Sequence, residues 1–331
     1  MIEKFKCRLC KSVKGKEYHI IGKEHLVYEC ASCGFIQIPT PPADKLDAEA
    51  ATQSRNQDEF RKTGLGDMHL NAKSKLPPIL RNLAHVIEED GRRITNFFDK
   101  FLKEKTYLKS APIEFIDIGS GYGNNSFLLK KEFPNLNITL LEISSERIKM
   151  GVDAFEPNLN DFTFCHSLLD SSFAKENLEK FDITFSFHVL EHVYDVINFI
   201  KNTFSILKPG GHAIFEVPNQ HDDLQELSNN YKSLIHFPAH VNYFSKDTFL
   251  KLLEESGTSE KFISSFIPIQ RYGFYNYVDW VRYNKKEKIL SDDYRERGNM
   301  SWLEKLWLRE KKENLTTDSL MIVLEKAPRF K

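Results

Sequence analysis

Glu114-Phe115-Ile116-Asp117-Ile118-Gly119-Ser120-Gly121-Tyr122-Gly123 is the stretch on which the reading of this chain turns. Its apolar half predicts a buried strand over 113–118. Three glycines follow at alternate positions, and a helix is predicted over 126–133. A glycine loop between strand and helix lets backbone approach a ligand closely and aims a helix N-terminus at it. The third glycine comes two residues after the second, giving G-x-G-x-G, whereas the dinucleotide fingerprint needs G-x-G-x-x-G. A second strand, 138–142, ends on Glu142. A carboxylate there can take both hydroxyls of a ribose in a bidentate hydrogen bond.

The alternation continues outward. A helix is predicted from Ser145, strands over 162–165 and 181–187, and a helix over 193–207. Lys208-Pro209-Gly210-Gly211 reads as a turn into a strand over 213–217. Ser245 fits the N-cap of a helix over 245–255, with Gly257 just past its end. Strands over 261–266 and 319–324 follow, the last expected at the sheet edge. Repeated βα units imply an α/β fold with a mostly parallel sheet and helices on both faces. Ahead of this series, apolar spacing over 76–108 predicts two helices. Residues 271–316 interrupt it with an aromatic run and then mixed charge, which suits either a solvated helix pair or a substrate-side insertion.

The matching segments are Glu114 to Gly123, Leu140-Leu141-Glu142, Phe181-Asp182-Ile183-Thr184-Phe185, His188-Val189-Leu190-Glu191-His192-Val193-Tyr194-Asp195 and Leu207-Lys208-Pro209-Gly210-Gly211. In order and spacing they resemble the class I S-adenosylmethionine (SAM)-dependent methyltransferases. The resemblance implies a Rossmann-like seven-stranded sheet with the last strand antiparallel, and SAM as cofactor. It implies that Asp117, Gly119, Ser120, Gly121, Tyr122 and Gly123 cradle the methionine part. Glu142, with Ile143 beside it, then holds the ribose. Ser167 and Leu168 fall where the family contacts adenine, although the family usually has Asp in place of Ser167. His188 and Val189 fall beside the reactive methyl group.

Cys7, Cys10, Cys30 and Cys33 read C-x2-C, nineteen intervening residues, then C-x2-C. That spacing matches a tetrahedral zinc site, and four thiolates make it structural because no position is left for water. The competing reading is disulfides, disfavoured by few cysteines and no secretory signal. His19 and His25 lie between the pairs, but four thiols suffice. Cys165, in an apolar run, reads as a buried small hydrophobe. Cys30-Ala31-Ser32-Cys33-Gly34-Phe35-Ile36 followed by Pro39 and Pro41 resembles the zinc knuckle fused to some bacterial methyltransferases. The expected division is a zinc module over 1–41, a helical linker or cap over 42–110, and a methyltransferase domain over 111–331 carrying the 271–316 insertion.

Methyl transfer is an in-line displacement in which the enzyme positions the acceptor. An oxygen or acidic carbon acceptor also needs a base, and histidine suits that task. His192 and His240 are the candidates, with His188 more a pocket wall. A purely structural role for each stays open, Glu191 reads as an ion-pair partner only, and His236 reads as a loop residue. The run from Ile269 to Asn276 and Trp280 resembles a segment of methyltransferases from bacterial surface-polysaccharide pathways. That implies a sugar, nucleotide-sugar or surface-glycan precursor as acceptor, with aromatic faces for stacking and Arg271 for a phosphate. Net charge is −1 with pI near 6.8, so nucleic acid is not expected as a partner. An RNA methyltransferase with a zinc module and a non-catalytic SAM-binding scaffold are the competing readings. No apolar run reaches the ~18 residues of a membrane span, and the chain reads as cytoplasmic.

Overall fold

The computed structural model describes residues 5–21, 25–39, 84–105, 112–155, 162–236, 239–284 and 301–328. Eleven strands lie among them: β1 (Gly15–Ile21), β2 (His25–Cys30), β3 (Ile36–Gln37), β4 (Ile113–Ile118), β5 (Leu136–Glu142), β6 (Phe162–His166), β7 (Phe181–Phe187), β8 (Leu207–Pro218), β9 (Asn242–Tyr243), β10 (Phe262–Ile269) and β11 (Ser319–Lys326). Seven form the central sheet in the order β10-β11-β8-β7-β4-β5-β6. β4 to β8 pair in parallel, and β11 runs antiparallel to both of its neighbours. This is the α/β fold with an antiparallel last strand that the sequence implies. The expected edge position of 319–324 is corrected: β11 is inserted between β8 and β10, and β10 forms the edge.

Alternation along the strands builds two cores, one on each face. Ile116 and Ile118 of β4 face one cluster with Leu141 and Phe215, while Ile113 and Phe115 face the other with Ile138 and Phe185. Strands buried on both faces carry apolar residues at successive positions, as in Phe115-Ile116 of β4 and Leu140-Leu141 of β5.

The helices are α1 (Ala84–Glu104), α2 (Asn124–Glu132), α3 (Ser145–Phe155), α4 (Ser171–Glu176), α5 (Val196–Ile206), α6 (Leu224–Leu227), α7 (Asn229–Ile235), α8 (Lys246–Glu255), α9 (Phe274–Tyr283) and α10 (Ser301–Glu313). α1 is one helix running through Gly91, where the sequence suggests a break between two. The rest of the expected linker, 42–83 and 106–110, lies outside the described residues. α1 seals its face of the sheet with Phe98, whose ring meets Phe115 at 5.7 Å and Phe185 at 5.6 Å. On the other face α8 starts at a capping box between Ser245 and Thr248, as its sequence signals.

Two local expectations fail. Lys208-Pro209-Gly210-Gly211 is not a separate turn: it lies within β8, where pairing with β7 jumps from Phe181↔Leu207 to Ile183↔His212. The helix expected over 193–207 begins only at Val196. Asp195 caps it by accepting from the Asn198 amide, and a 3-10 turn over Leu190–His192 precedes it.

The second sheet, β1-β2-β3-β9, joins the N-terminal segment to the main body. β9 comes from the loop after β8, and it pairs Tyr243 with Ile36 and Asn242 with Gln37. Arg8, beside Cys7, is buried and donates to the Val241 carbonyl (2.6 Å), Asn242 Oδ1 (2.8 Å) and the Ile38 carbonyl. Asn242 in turn donates to the carbonyls of Leu190 and Val193. A continuous hydrogen-bonded path thus runs from the cysteine cluster to the turn that carries Glu191 and His192.

Candidate active site

β4 is where the strand order reverses, and ligands of such sheets bind outside the carboxyl ends there. A cavity of about 350 Å³ occupies that place, within the range of small-molecule sites. Gly119 after β4, Glu142 and Ile143 after β5, Ser167 and Leu168 after β6, and His188 and Val189 after β7 all line it.

The loop after β4 owes its shape to glycine. Gly119, Gly121 and Gly123 have φ of 71°, 59° and 81°, in the left-handed region. A Cβ on Gly119 would come within 2.6 Å of Val189 Cγ2. Asp117 lies under the loop rather than on the cavity wall. It accepts from Ser126 Oγ at 2.6 Å, and burial raises its pKa to about 7. Ser120, Gly121, Tyr122 and Gly123 likewise shape the loop without lining the cavity.

Glu142 is 3% exposed, and each of its oxygens accepts from backbone: Oε2 from the Gly121 amide (2.9 Å), Oε1 from the Ser144 amide (2.8 Å). Each carboxylate oxygen keeps a further lone pair. The carboxylate can therefore fix the glycine loop and still accept from a bound diol. Where the family pattern has Asp, Ser167 donates to the Leu168 carbonyl (3.1 Å). The nearby Asp170 also lines the cavity but serves as N-cap of α4.

Beyond the carboxyl end of β7 lies a cluster of histidines. His188 has φ of 53°, unusual for a residue with a side chain, and its amide bonds the Glu216 carbonyl at 2.9 Å. Its Nδ1 meets Glu191 Oε1 at 3.0 Å, and Arg271 Nη1 meets its Nε2 at 3.1 Å. Arg271 can only donate, so Nδ1–H donates to Glu191 and Nε2 accepts. Burial and Arg271 disfavour the charged ring while Glu191 and Glu216 favour it, and the net shift is upward. A proton and Arg271 thus compete for Nε2. Sequence reading offered Arg271 for a phosphate; the structure turns it onto His188.

His192 and His240 are brought together from positions far apart in the chain, with ring centroids 4.8 Å apart. His192 Nδ1–H donates to the Ala239 carbonyl (2.7 Å), and His240 Nδ1–H donates to the Ile235 carbonyl (2.8 Å). Each Nε2 lies 4.0 Å from Glu191 Oε1. Burial lowers both pKa values to about 3, so both rings are neutral near pH 7. His192 lines the cavity and His240 lies behind it. His236, read as a loop residue, is buried and stacks on Tyr243 at 4.2 Å. Polar groups the sequence reading passed over, Arg147, Asp195 and Asn198, also line the cavity. Asp195 closes the quoted His188–Asp195 motif, which was the available signal.

Of the expected insertion over 271–316, residues 285–300 lie outside the described residues, and the described parts pack against the body. Trp280 meets Tyr231 at 5.5 Å beside Leu224, and Lys311 of α10 pairs with Asp222 (3.0 Å) and Asp223 (2.7 Å).

At the other end, Cys7 Sγ and Cys33 Sγ are 3.6 Å apart, Cys10 Sγ and Cys30 Sγ 3.5 Å, and all four lie within 4.8 Å of one another. A disulfide would need ~2.05 Å. Thiolates around one tetrahedral ion at ~2.3 Å stand about 3.8 Å apart, so the four sulfurs fit a metal. Cys165 is half-buried and outside this cluster.

A family model described as a methyltransferase domain matches residues 85–259, more than half of the chain. Ribosomal RNA small subunit methyltransferase G of Bacillus thuringiensis (strain Al Hakam) is 28% identical over 163 residues, 47% of this chain and 68% of that protein. Among solved structures, a Burkholderia thailandensis 1,6-didemethyltoxoflavin-N1-methyltransferase with bound S-adenosylhomocysteine (SAH) is 11% identical. It covers 94% of this chain and 100% of that chain with a TM-score of 0.49. A SAM-dependent methyltransferase from Archaeoglobus fulgidus is 17% identical over 73% of this chain and 98% of that chain, TM-score 0.44. Through residues 85–259 the chain belongs to the methyltransferase-domain family, and it is a SAM-dependent methyltransferase.

Proposed function

We propose that the enzyme transfers the methyl group of SAM to an oxygen or carbon of a small polar acceptor, a sugar, nucleotide-sugar or surface-glycan precursor. The observation that carries this reading is one cavity at the carboxyl ends of the strands lined by Gly119, Glu142, His188 and His192 together. In this reading the glycine loop takes the methionine part, Glu142 the ribose, and Ser167 and Leu168 the adenine. The acceptor enters from the histidine side, where Asp195 and Asn198 supply partners for hydroxyl groups. His192 and His240 act on the acceptor's proton. Their neutral rings, held through Nδ1 on backbone carbonyls, leave Nε2 as the nitrogen that can take the proton, and the Glu191 carboxylate 4.0 Å away would stabilise the resulting charge that burial disfavours.

Cys7, Cys10, Cys30 and Cys33 hold a structural zinc ion in this reading. Its purpose follows from the path through Arg8 and Asn242: the ion fixes the segment that braces the Glu191–His192 turn. A reducing cytoplasm would keep these thiolates available to the metal.

Ribosomal RNA is the second reading, favoured by the 28%-identical relative. The net charge of −1 counts against it. The deciding experiment offers methyl-labelled SAM with nucleotide-sugars in one arm and ribosomal RNA in the other. Label on the sugar supports the first reading, and label on RNA replaces it.

A further inference from the structure

We infer that Glu191, His192 and His240 form a second metal site, for a divalent first-row transition-metal cation that binds an oxygen of the acceptor. This deepens the proposed function and rests on the acceptor lying on the histidine side of the cavity. One ligand atom from each residue lies within 4.8 Å of the other two. Two imidazoles and one carboxylate are a donor set that suits iron, zinc and related ions and leaves positions for a further ligand.

Three independent features point to an ion rather than a packed polar cluster. First, both rings are anchored through Nδ1–H on backbone carbonyls, Ala239 and Ile235, so each presents Nε2 toward Glu191. A second-shell carbonyl on the other nitrogen is the usual way a protein orients a ligating histidine. Second, Glu191 is 1% exposed; its Oε1, the oxygen 4.0 Å from both Nε2 atoms, meets His188, and its Oε2 is buried with no hydrogen-bond partner among the described residues. A buried carboxylate with so few donors is costly, and a cation beside it would offset its charge. Third, His188 donates to Glu191 Oε1, which fixes the carboxylate's rotation as outer-shell partners do.

Ligand atoms around one ion at ~2.1 Å stand about 3.4 Å apart; two of the three pairs are now 4.0 Å apart and all lie within 4.8 Å, so the side chains must rotate inward to close on the ion. His192 also lines the cavity, which gives an ion held there access to the acceptor. A metal-bound hydroxyl group loses its proton near neutral pH. With the ion present, both Nε2 lone pairs are spent on it, so in place of the direct proton transfer of the proposed function the histidines would act through the metal; the acceptor class and its place in the cavity are unchanged.

The test equilibrates the full-length protein with Co2+, removes unbound ion by gel filtration, and counts metal per chain alongside the visible spectrum. Wild type is expected to retain one ion more than His240→Ala or Glu191→Gln, and that ion should lack thiolate-to-metal charge transfer. Affinity at this site should fall at least tenfold in either variant, while SAH binding reports that each variant is folded. If wild type and both variants hold the same number of ions, the site does not exist. Methyl transfer to a sugar acceptor at full rate by protein with no ion beyond the cysteine-bound one overturns the metal site and leaves the proposed function standing. The extra ion without transfer to any sugar acceptor supports the site and overturns the sugar assignment.

Discussion

Replacing Glu142 by Ala removes one carboxylate that serves two purposes. Its oxygens hold the Gly121 and Ser144 amides at 2.9 and 2.8 Å, and their remaining lone pairs face the cavity. A hydrogen bond to a charged group is worth about 1.5–3 kcal/mol. Loss of the ribose contact alone should therefore weaken SAH binding about 10- to 150-fold. Loss of the two backbone contacts leaves Gly121 and Ser144 without an acceptor beside the loop. That should lower stability by about 1–3 kcal/mol. Glu142→Gln keeps the shape, but its NH2 group must face one of the two amides, so it should fall between wild type and Ala on both measures. Calorimetric titration with SAH reads the first effect and thermal unfolding without ligand reads the second. Affinity within twofold of wild type, with stability reduced, would refute the ribose role and leave Glu142 as a loop brace only.

Gly119→Ala should abolish measurable SAH binding by calorimetry, because φ of 71° costs an L-residue about 1–2 kcal/mol and the new Cβ drives into Val189 at 2.6 Å. Single-turnover transfer should fall about 10²- to 10⁴-fold in His192→Ala or His240→Ala with SAH affinity nearly intact; near-native rates in both would remove the histidines from the chemistry. Metal analysis should give one zinc held by the cysteines, and Cys30→Ser should lower it. Arg8→Ala should cost about 3 kcal/mol or more in unfolding, since its guanidinium donates to three buried acceptors, and should slow transfer more than it weakens SAH.

Local signals carried much of the architecture. The strand–glycine–helix order at 113–132 and the capping signal at Ser245 depend on neighbours in sequence, and both stand in the structure. What depends on distant parts of the chain was not legible. Apolar alternation marks β11 as a strand but says nothing of its insertion between β8 and β10. β9 is two residues long, too short to register as a pattern, yet it ties the cysteine segment to the sheet's loops. The helix was expected to start at 193, just after His192; the cap at Asp195 delays it to Val196, and His192 sits on a 3-10 turn beside His240. Arg271 reaches His188 across 83 positions of sequence, a contact no spacing rule foresees. Glu191 read as an ordinary ion-pair partner because its burial, the source of its interest, is a property of the folded state alone.

The most direct test of the central claim follows the labelled methyl group of SAM into a panel of nucleotide-sugars, with ribosomal RNA as the competing arm, using wild type and His192→Ala side by side. The account predicts label on an oxygen or carbon of a sugar-containing acceptor, lost in the variant although SAH still binds. Label on RNA, or on the sugar at the same rate in both proteins, would contradict it.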